Sequence, residues 1–191
     1  MEDTSETKST SETKSTSETI GTSEMSVMTN SDKKDDQVSE LSFDMLNIKE
    51  NILRGIYAYG FEKPSIIQHK AIPILTSKKD IVAQAQSGTG KTGAFSIGSL
   101  NNVDESIKDT QVLILSPTRE LADQTFKVIQ ELSSYTDISS CKVVGGTRVQ
   151  DGIRELQKIP QVIVGTPGRI LDMLSKQHIF TQKISTFIID E

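Results

Sequence analysis

Eight consecutive residues, from Ala85 to Thr92, have the composition of a loop that binds phosphate groups. They read Ala85, Gln86, Ser87, Gly88, Thr89, Gly90, Lys91 and Thr92. A glycine-containing loop that leads into a helix directs successive backbone N–H groups towards one point, where the helix N-terminus adds its positive end. Lys91 would reach the β- and γ-phosphates of a nucleotide, and the Thr92 hydroxyl would ligate Mg²⁺. The stretch therefore predicts a site for ATP with Mg²⁺.

The residues on either side of this loop favour the same interpretation. Residues 80–84 form a short apolar run typical of a strand, and a helix is expected from Thr92 to about Leu100. Ala85 stands where the general phosphate-loop pattern has its first glycine, so the match is a variant of that pattern. The alternative is a loop of small residues whose lysine is simply solvated, but that alternative does not account for the strand before it and the helix after it.

Two carboxylates, Asp190 and Glu191, follow an apolar segment that is predicted to be a strand over residues 184–190. An acid at this position can hold Mg²⁺ directly or through water, and Asp190 is the candidate ligand. The next acid, Glu191, can orient or deprotonate an attacking water. The alternative is a chance pair of charges. Next to a phosphate loop, we favour the catalytic interpretation of Lys91, Asp190 and Glu191.

A glutamine near the start of a predicted helix is a candidate for recognition of the nucleotide base. Ser65 can cap a helix from Ile66 to about Leu75, which places Gln68 one turn inside. The amide of a glutamine has a donor and an acceptor side by side, matching N7 and N6 of adenine. The alternative, an exposed polar residue on a helix, is not excluded by spacing alone.

Composition divides the chain into an acidic tail and a nearly neutral domain. Residues 1–40 carry ten acids and four bases, whereas residues 41–191 carry sixteen acids and seventeen bases. Residues 5–10 are repeated identically at 11–16 and in degraded form at 17–22. These polar repeats have almost nothing apolar to bury, so residues 1–40 are predicted to be a disordered tail. The domain is expected to span residues 41–191.

The chain contains one cysteine, Cys141, so no disulfide can form within it. This is consistent with a reducing compartment. There is no apolar run of about 18 residues, and the N-terminus is acidic and polar, so neither a membrane span nor a secretory signal is expected. The sequence predicts a cytoplasmic or nuclear location.

Strands and helices are predicted to alternate along the domain. A first helix is expected to start after a cap at Asn47 and to end at Tyr59, before the Gly60 stop. After the phosphate-loop helix, strands are predicted at 111–116, 141–144, 161–165 and 184–190. Helices are predicted at 117–134 and 149–158, and a last one follows the loop at 166–169 and runs to about residue 177. This alternation predicts an α/β fold, an open parallel sheet with helices on both faces. Ligands of such sheets bind beyond the carboxyl ends of the strands. The phosphate loop, Asp190–Glu191 and three further polar loops all occupy that position.

With these residues identified, residues 41–191 resemble the first RecA-like domain of DEAD-box ATP-dependent RNA helicases. The run from Arg54 to Ser65 is similar to the translation initiation factor 4A group in particular. The segment 60–68 resembles the Q motif of the family and residues 85–92 resemble motif I. The resemblance implies that Gln68 reads adenine, that Phe43 stacks on the base, and that Phe61 and Lys63 frame the pocket.

The resemblance also implies an RNA site, because three loops match motifs of the family that contact the RNA backbone. The residues concerned are Pro117, Thr118, Arg119, Gly145, Gly146, Thr166, Gly168 and Arg169. Helix N-termini, glycine N–H groups and arginines suit phosphates, which carry no sequence information. Binding of single-stranded RNA is therefore expected to be insensitive to base sequence.

The sequence departs from the family pattern at several points. Asp190–Glu191 resembles only the first half of the Asp-Glu-Ala-Asp motif, and the Ser-Ala-Thr motif and the second domain are absent from the 191 residues. Ser65-Ile66 replaces the usual Thr-Pro, and Ser65 can still cap. Two hypotheses remain open. The chain is part of an ATP-dependent RNA helicase, whose expected protein partners belong to a translation or RNA-processing complex, or it is a stand-alone nucleotide- and RNA-binding module without helicase turnover.

Overall fold

The computed structural model describes residues 26–28 and 41–191. The helices are α1 (Glu50–Ala58), α2 (Ile66–Thr76), α3 (Lys91–Asn102), α4 (Arg119–Leu132), α5 (Val149–Leu156) and α6 (Pro167–Ser175), with a 3₁₀ turn at Phe43–Leu46. The strands are β1 (Ser26–Met28), β2 (Ile81–Ala83), β3 (Val112–Leu115), β4 (Ser140–Val143), β5 (Val162–Gly165) and β6 (Thr186–Ile189). The predicted tail, residues 1–40, lies outside the described residues except for β1, where a strand differs from the disorder expected there.

Four strands form a parallel sheet in the order β4-β5-β3-β6. Val112 is paired with Val162 on one side and with Thr186 on the other, so β3 is central and β6 is an edge strand. The inner strands are almost completely buried and read as continuous apolar runs, as expected for a parallel sheet covered on both faces. The predicted open parallel sheet is confirmed.

Helices cover both faces of this sheet, and each face has its own apolar core. The first face packs against α1, α3 and α4 through residues that include Ile56, Ile97 and Ile129. The second face packs against α5 and α6 through Leu156, Ile170 and Met173. We refer to them below as the first face and the second face. The two cores hold the carboxyl ends of the strands, and the loops that follow them, at one edge of the domain.

The strand that precedes the phosphate loop is not hydrogen-bonded to this sheet. β2 pairs in parallel with β1, from Ser26 opposite Ile81 to Met28 opposite Ala83, and forms a separate two-stranded sheet. β2 is held near the domain instead by the helices on either side of it in sequence, because α2 contacts β2 and packs extensively against α3. The sequence pattern predicted the strand but not its separation from the other four.

Helix starts differ from the predictions at two places. Asn47 does not cap α1 but ends the 3₁₀ turn in the left-handed conformation, with φ of 52°, and α1 begins after Lys49. Pro117 is not in the first turn of α4, because Thr118 is the N-cap and its hydroxyl accepts from Leu121 N–H at 3.2 Å. The predicted cap at Ser65 is confirmed and is part of a capping box with Gln68. The last helix, α6, begins at Pro167, within the segment 166–169 that was predicted to precede it.

Candidate functional site

The phosphate loop leads directly from β2 into the first turn of α3. Gly90 is the N-cap of α3 with φ of 100°, and Gly88 has φ of 81°, a left-handed conformation that favours glycine at both positions. Two hydrogen bonds join residues within the loop. Lys91 Nζ donates to Ala85 O at 2.6 Å, and Thr89 Oγ1 donates to Gln86 O at 2.8 Å. The Lys91 side chain thus folds back onto the first residue of the loop.

The donor set at this loop fits a nucleotide phosphate group. The N-terminal N–H groups of α3, the Lys91 ammonium and the Thr92 hydroxyl are all within one turn of helix. The residues that would hold Mg²⁺ are Thr92 and Asp190. Among the described residues, no group of three or more His, Cys, Asp or Glu side chains could hold a metal by itself. A magnesium ion here would therefore depend on phosphate oxygens and water for its remaining ligands, as that ion usually does.

Asp190 and Glu191 lie at the same end of the domain as the phosphate loop. One cavity of about 420 Å³ is lined by both carboxylates together with Ala85 and Lys91. Partial burial raises the pKa of Asp190 above its ordinary value, the neighbouring Glu191 carboxylate adds to this, and the Lys91 ammonium opposes it. The structure thus brings together the three residues predicted to act in catalysis.

Gln68 is buried and lies against the phosphate-loop helix. Its Oε1 accepts from Ser65 N–H at 2.9 Å, and its Nε2 donates to Gly90 O at 3.3 Å. A Cβ on Gly90 or on Gly93 would lie 2.7 Å from Gln68 Nε2, so both glycines allow this close approach. The predicted base-reading glutamine is therefore bonded to the backbone of the phosphate loop itself.

Phe61 and Gln68 meet at the first turn of α3, since a Cβ on Gly93 would also lie 3.1 Å from the Phe61 ring. Phe61 is partly exposed and contacts Tyr59 edge-on at 4.8 Å between ring centroids. Lys63 is exposed on the same loop. The recognition of adenine by Phe61 and Gln68 stays a prediction.

The structure does not bring Phe43 to the surface, although base stacking was predicted for it. Its ring is completely buried, lies parallel to Phe61 at 6.3 Å and meets Tyr57 edge-on. In this arrangement the Phe43 ring packs against the Phe61 ring on the core side, and neither face of Phe43 is accessible to a base. The 3₁₀ turn at Phe43–Leu46 directs the Phe43 side chain into the core. Packing between residues far apart in the sequence cannot be predicted from the spacing of a motif.

The residues predicted to bind RNA line a second cavity at the same edge of the sheet, of about 600 Å³. Seven of the eight predicted residues line it, namely Pro117, Thr118, Arg119, Gly145, Thr166, Gly168 and Arg169. They come from the loops after β3, β4 and β5, which are neighbours in the sheet. Glu120 also lines this cleft and was not among the predicted site residues.

Specific contacts hold this cleft together. The Arg119 guanidinium lies directly over Gly146, so that a Cβ there would overlap it, and Gly146 has φ of 76°. Arg169 Nη2 donates to Thr147 O at 3.1 Å, and Gly145 N–H donates to Thr166 Oγ1 at 3.2 Å. Thr147 was not a predicted site residue, and only the tertiary contact with Arg169 identifies it.

Comparison with known protein families gives a match of residues 65–191 to the DEAD/DEAH box helicase model. The chain is 50% identical over 150 residues to a protein of Neurospora crassa named ATP-dependent RNA helicase eIF4A. A protein of the same name from Phaeosphaeria nodorum is 49% identical over 150 residues. Each match covers 78% of this chain and 38% of the relative, so the chain spans about two fifths of the length of these relatives.

Two solved structures illustrate the similarity of the fold. S. cerevisiae Dbp5 bound to RNA and ADP BeF3 superposes with a TM-score of 0.72 at 43% sequence identity, over 78% of this chain and 38% of Dbp5. A DEAD box protein from the hyperthermophile Methanococcus jannaschii has a TM-score of 0.72 at 37% identity, over 79% of this chain and 41% of that protein.

Proposed function

The chain belongs to the DEAD/DEAH box helicase family, and we propose that it forms the first nucleotide- and RNA-binding domain of an ATP-dependent RNA helicase. In this proposal Gln68 reads adenine, Lys91 contacts the phosphates, and Thr92 with Asp190 holds Mg²⁺. Glu191 orients the attacking water, and the cleft around Arg119 and Arg169 binds the backbone of single-stranded RNA. The complete enzyme would use ATP to close on RNA and unwind short duplexes.

One observation carries this proposal: the two predicted sites lie beyond the carboxyl ends of two adjacent strands, β6 and β3. The phosphate loop and Asp190 line one cavity, and Arg119 and Arg169 line the other. The loops after β3 and β6 belong to different cavities although these strands are adjacent. In this arrangement, a structural change on nucleotide binding at one site can reach the RNA site across the two adjacent strands.

We place the complete enzyme in translation initiation, in the cytoplasm or nucleus. Support comes from the names of the relatives at 49% and 50% identity, which are initiation-factor helicases. One Dbp5 structure was determined with RNA, and another with gle1 and IP6, so protein partners of a translation or RNA-processing complex are part of the proposal. No helix in the described part of the chain is both long enough and apolar enough to cross a membrane.

The second candidate function is a stand-alone nucleotide- and RNA-binding module. It is favoured by the hydrogen bond from Lys91 Nζ to Ala85 O, which occupies the ammonium group that the helicase hypothesis assigns to the phosphates. An arginine finger contributes about 10³–10⁵ in rate in related phosphoryl transfer. A domain that lacks one would bind ATP and RNA with very slow turnover. RNA-stimulated ATP hydrolysis by the 191-residue chain, compared with that of a longer chain, separates the two functions.

The experiment that tests the nucleotide site is calorimetric titration of the chain with ADP and Mg²⁺. We expect Lys91→Ala to weaken ADP binding by roughly 10- to 100-fold, because hydrogen bonds to charged groups contribute about 1.5–3 kcal/mol. The matched control is Lys127→Ala, which removes an exposed lysine from α4. Equal ADP affinity in the wild type and Lys91→Ala would refute the phosphate-loop assignment.

A further inference from the structure

The hydroxyl group of Ser116, at the carboxyl end of β3, is completely buried. Within the part of the chain that the structure describes, Ser116 Oγ has no hydrogen-bond partner. Most buried side-chain polar atoms in proteins are hydrogen-bonded, and a buried hydroxyl group that is not hydrogen-bonded lowers the stability of the fold. The neighbours of Ser116 therefore decide what this hydroxyl group can do.

In the register of the sheet, Ser116 lies between the nucleotide site and the RNA cleft. Leu115, the residue before it, is paired with the residues that precede Asp190 on β6 and Thr166 on β5. The hydrogen-bond ladder continues by one residue, because Asp190 N–H donates to Leu115 O and Ser116 N–H donates to Gly165 O, both at 2.9 Å. Neighbouring strands are about 4.8 Å apart, so Asp190 and Thr166 are the cross-strand neighbours of Ser116.

The side chains of these three polar residues lie on one face of the sheet. Successive side chains of a strand alternate between the two faces. The residues two positions earlier on the three strands, Ile114, Val164 and Ile188, all belong to the core of the first face. We refer to Asp190, Ser116 and Thr166 as the polar row. The row joins the phosphate-loop cavity, which its β6 member lines, to the RNA cleft, which its β5 member lines.

Of its two neighbours in the polar row, Asp190 is the better partner for the Ser116 hydroxyl. Thr166 Oγ1 already accepts a hydrogen bond from Gly145 N–H, at 3.2 Å. None of the described residues donates a hydrogen bond to the Asp190 carboxylate. A hydrogen bond to a charged carboxylate is roughly twice as strong as one between neutral groups. Side chains about 5 Å apart on adjacent strands can come within hydrogen-bond distance by a change of rotamer.

We infer that Ser116 is a positioning residue for the magnesium site, and that its hydroxyl group donates to the Asp190 carboxylate when this carboxylate holds Mg²⁺. A carboxylate that ligates a metal is itself hydrogen-bonded, and this bond fixes its orientation. Ser116 supplies the donor from the adjacent strand, out of contact with water. The inference rests on the proposed function, because it takes Asp190 as a magnesium ligand.

The test compares the ADP affinity of the full chain in excess Mg²⁺ with its ADP affinity in EDTA, by calorimetric titration. The ratio of the two affinities measures what Mg²⁺ contributes to binding. We expect Ser116→Ala to lower this ratio by roughly tenfold, because loss of a group that hydrogen-bonds a metal ligand costs about 10- to 100-fold in metal affinity. The affinity in EDTA should not change. Ser116→Thr, which keeps a hydroxyl group, should retain most of the ratio.

Ser96→Ala is the matched control. Ser96, on α3, also has a completely buried hydroxyl group without a partner among the described residues, but it is not part of the polar row. Neither alanine substitution removes a hydrogen bond that the structure shows, so neither should lower the unfolding temperature. Asp190→Asn should remove the effect of Mg²⁺. In that background Ser116→Ala should change the ratio no further, because the two residues act on the ion as one unit.

Equal ratios for the wild type and Ser116→Ala, with a lowered ratio for Asp190→Asn, would overturn the inference and leave the proposed magnesium site in place. An equal loss in Ser96→Ala would also overturn it, because any buried hydroxyl group of the core would then have the same effect. An ADP affinity in Mg²⁺ that Asp190→Asn does not change would refute the proposed magnesium site itself, and the inference with it.

Discussion

At the scale of single residues, Gln68 connects the predicted base site with the phosphate loop. The residue is 4% exposed, and its amide is bonded to Ser65 N–H on one side and to Gly90 O on the other. An amide oxygen has two lone pairs and the amide nitrogen two hydrogens, so each keeps one site for a further hydrogen bond. Recognition of adenine would then be coupled directly to the position of Gly90.

We predict that Gln68→Ala lowers both the preference for adenine and the stability of the chain. The ratio of ADP to GDP affinity should fall towards one, because the bidentate donor and acceptor are removed. The free energy of unfolding should fall by about 1–3 kcal/mol, because Ser65 N–H loses its hydrogen-bond partner and Gly90 O keeps only the N–H of Ala94. Titration with both nucleotides and urea denaturation measure the two effects. Gln130→Ala, on the exposed side of α4, is the control, and an unchanged affinity ratio would remove the role of Gln68.

Asp190 gives a pH-dependent prediction, because its pKa is raised in the folded chain. The folded state therefore binds this proton more tightly than the unfolded state, and the contribution of Asp190 to stability decreases as pH rises from the ordinary carboxyl value through the raised pKa. In magnesium-free buffer, Asp190→Asn should increase the free energy of unfolding at pH 7, by less than about 1 kcal/mol because the group is only partly buried.

The difference between Asp190→Asn and the wild type should disappear below about pH 3.9, where the carboxyl is protonated in both states. Thermal unfolding between acidic and neutral pH measures it. Asp109→Asn, in the exposed loop before β3, controls for removal of a surface charge. A stabilisation by Asp190→Asn that persists unchanged at low pH would contradict the electrostatic explanation.

At the scale of elements, close helix packing sets the position of α1 against α4. A Cβ on Gly55 would overlap the backbone carbonyl oxygen of Leu132, at the end of α4. Backbone atoms cannot move aside as a flexible side chain can, so glycine is required by the approach of the two helices and not by its conformation. Ile52 and Ile56, which flank this contact on α1, are completely buried in the core of the first face.

We expect Gly55→Ala to lower the free energy of unfolding by about 1–3 kcal/mol, the usual cost of overpacking. Gly152→Ala is a matched control inside α5, where a Cβ would meet nothing within 4 Å. It should be neutral or should stabilise by up to about 1 kcal/mol, since alanine is the better helix former. Denaturant unfolding of the two variants measures the difference. Equal stabilities for the two variants would show that α1 and α4 are less closely packed than described.

At the scale of the whole molecule, the predicted RNA surface exists only because three loops meet. Arg119 follows β3, Gly146 follows β4 and Arg169 follows β5, and the parallel sheet brings all three loops to one cleft. Two arginines and the N-termini of α4 and α6 suit RNA phosphates, and Glu120 is the one acidic side chain among the residues that line the cleft. RNA binding in this cleft should therefore depend on salt and not on sequence.

Replacement of both Arg119 and Arg169 by alanine should weaken RNA binding equally on poly(U), poly(A) and mixed sequences. The slope of log affinity against log salt should become shallower by about 0.7 for each RNA phosphate that is no longer neutralised by an arginine. Fluorescence titration at several salt concentrations measures both quantities. Arg154→Ala removes an exposed arginine of α5 outside the cleft and should leave the slope unchanged. A weakening restricted to some sequences would contradict backbone recognition.

Local pattern was sufficient to predict most of the fold. The apolar runs at 111–116 and 161–165 became buried strands, and the Ser65 cap was found where the residue type indicated. The predicted site residues on the loops after β3, β5 and β6 also follow from the sequence, because in a parallel sheet a residue's position after a strand already determines the edge at which it lies.

What only the tertiary structure decided are the contacts between residues far apart in the sequence. Phe43 is buried behind Phe61, the Arg119 guanidinium covers Gly146, and a groove separates β2 from β6. None of these depends on the local periodicity of the chain. Hydrophobic pattern specifies which face of an element is buried, whereas the identity of its neighbour depends on how all elements pack together. For that reason the sequence by itself determined the elements and the loops that carry the chemistry, and packing alone determined which side chains meet and which strand edge is left open.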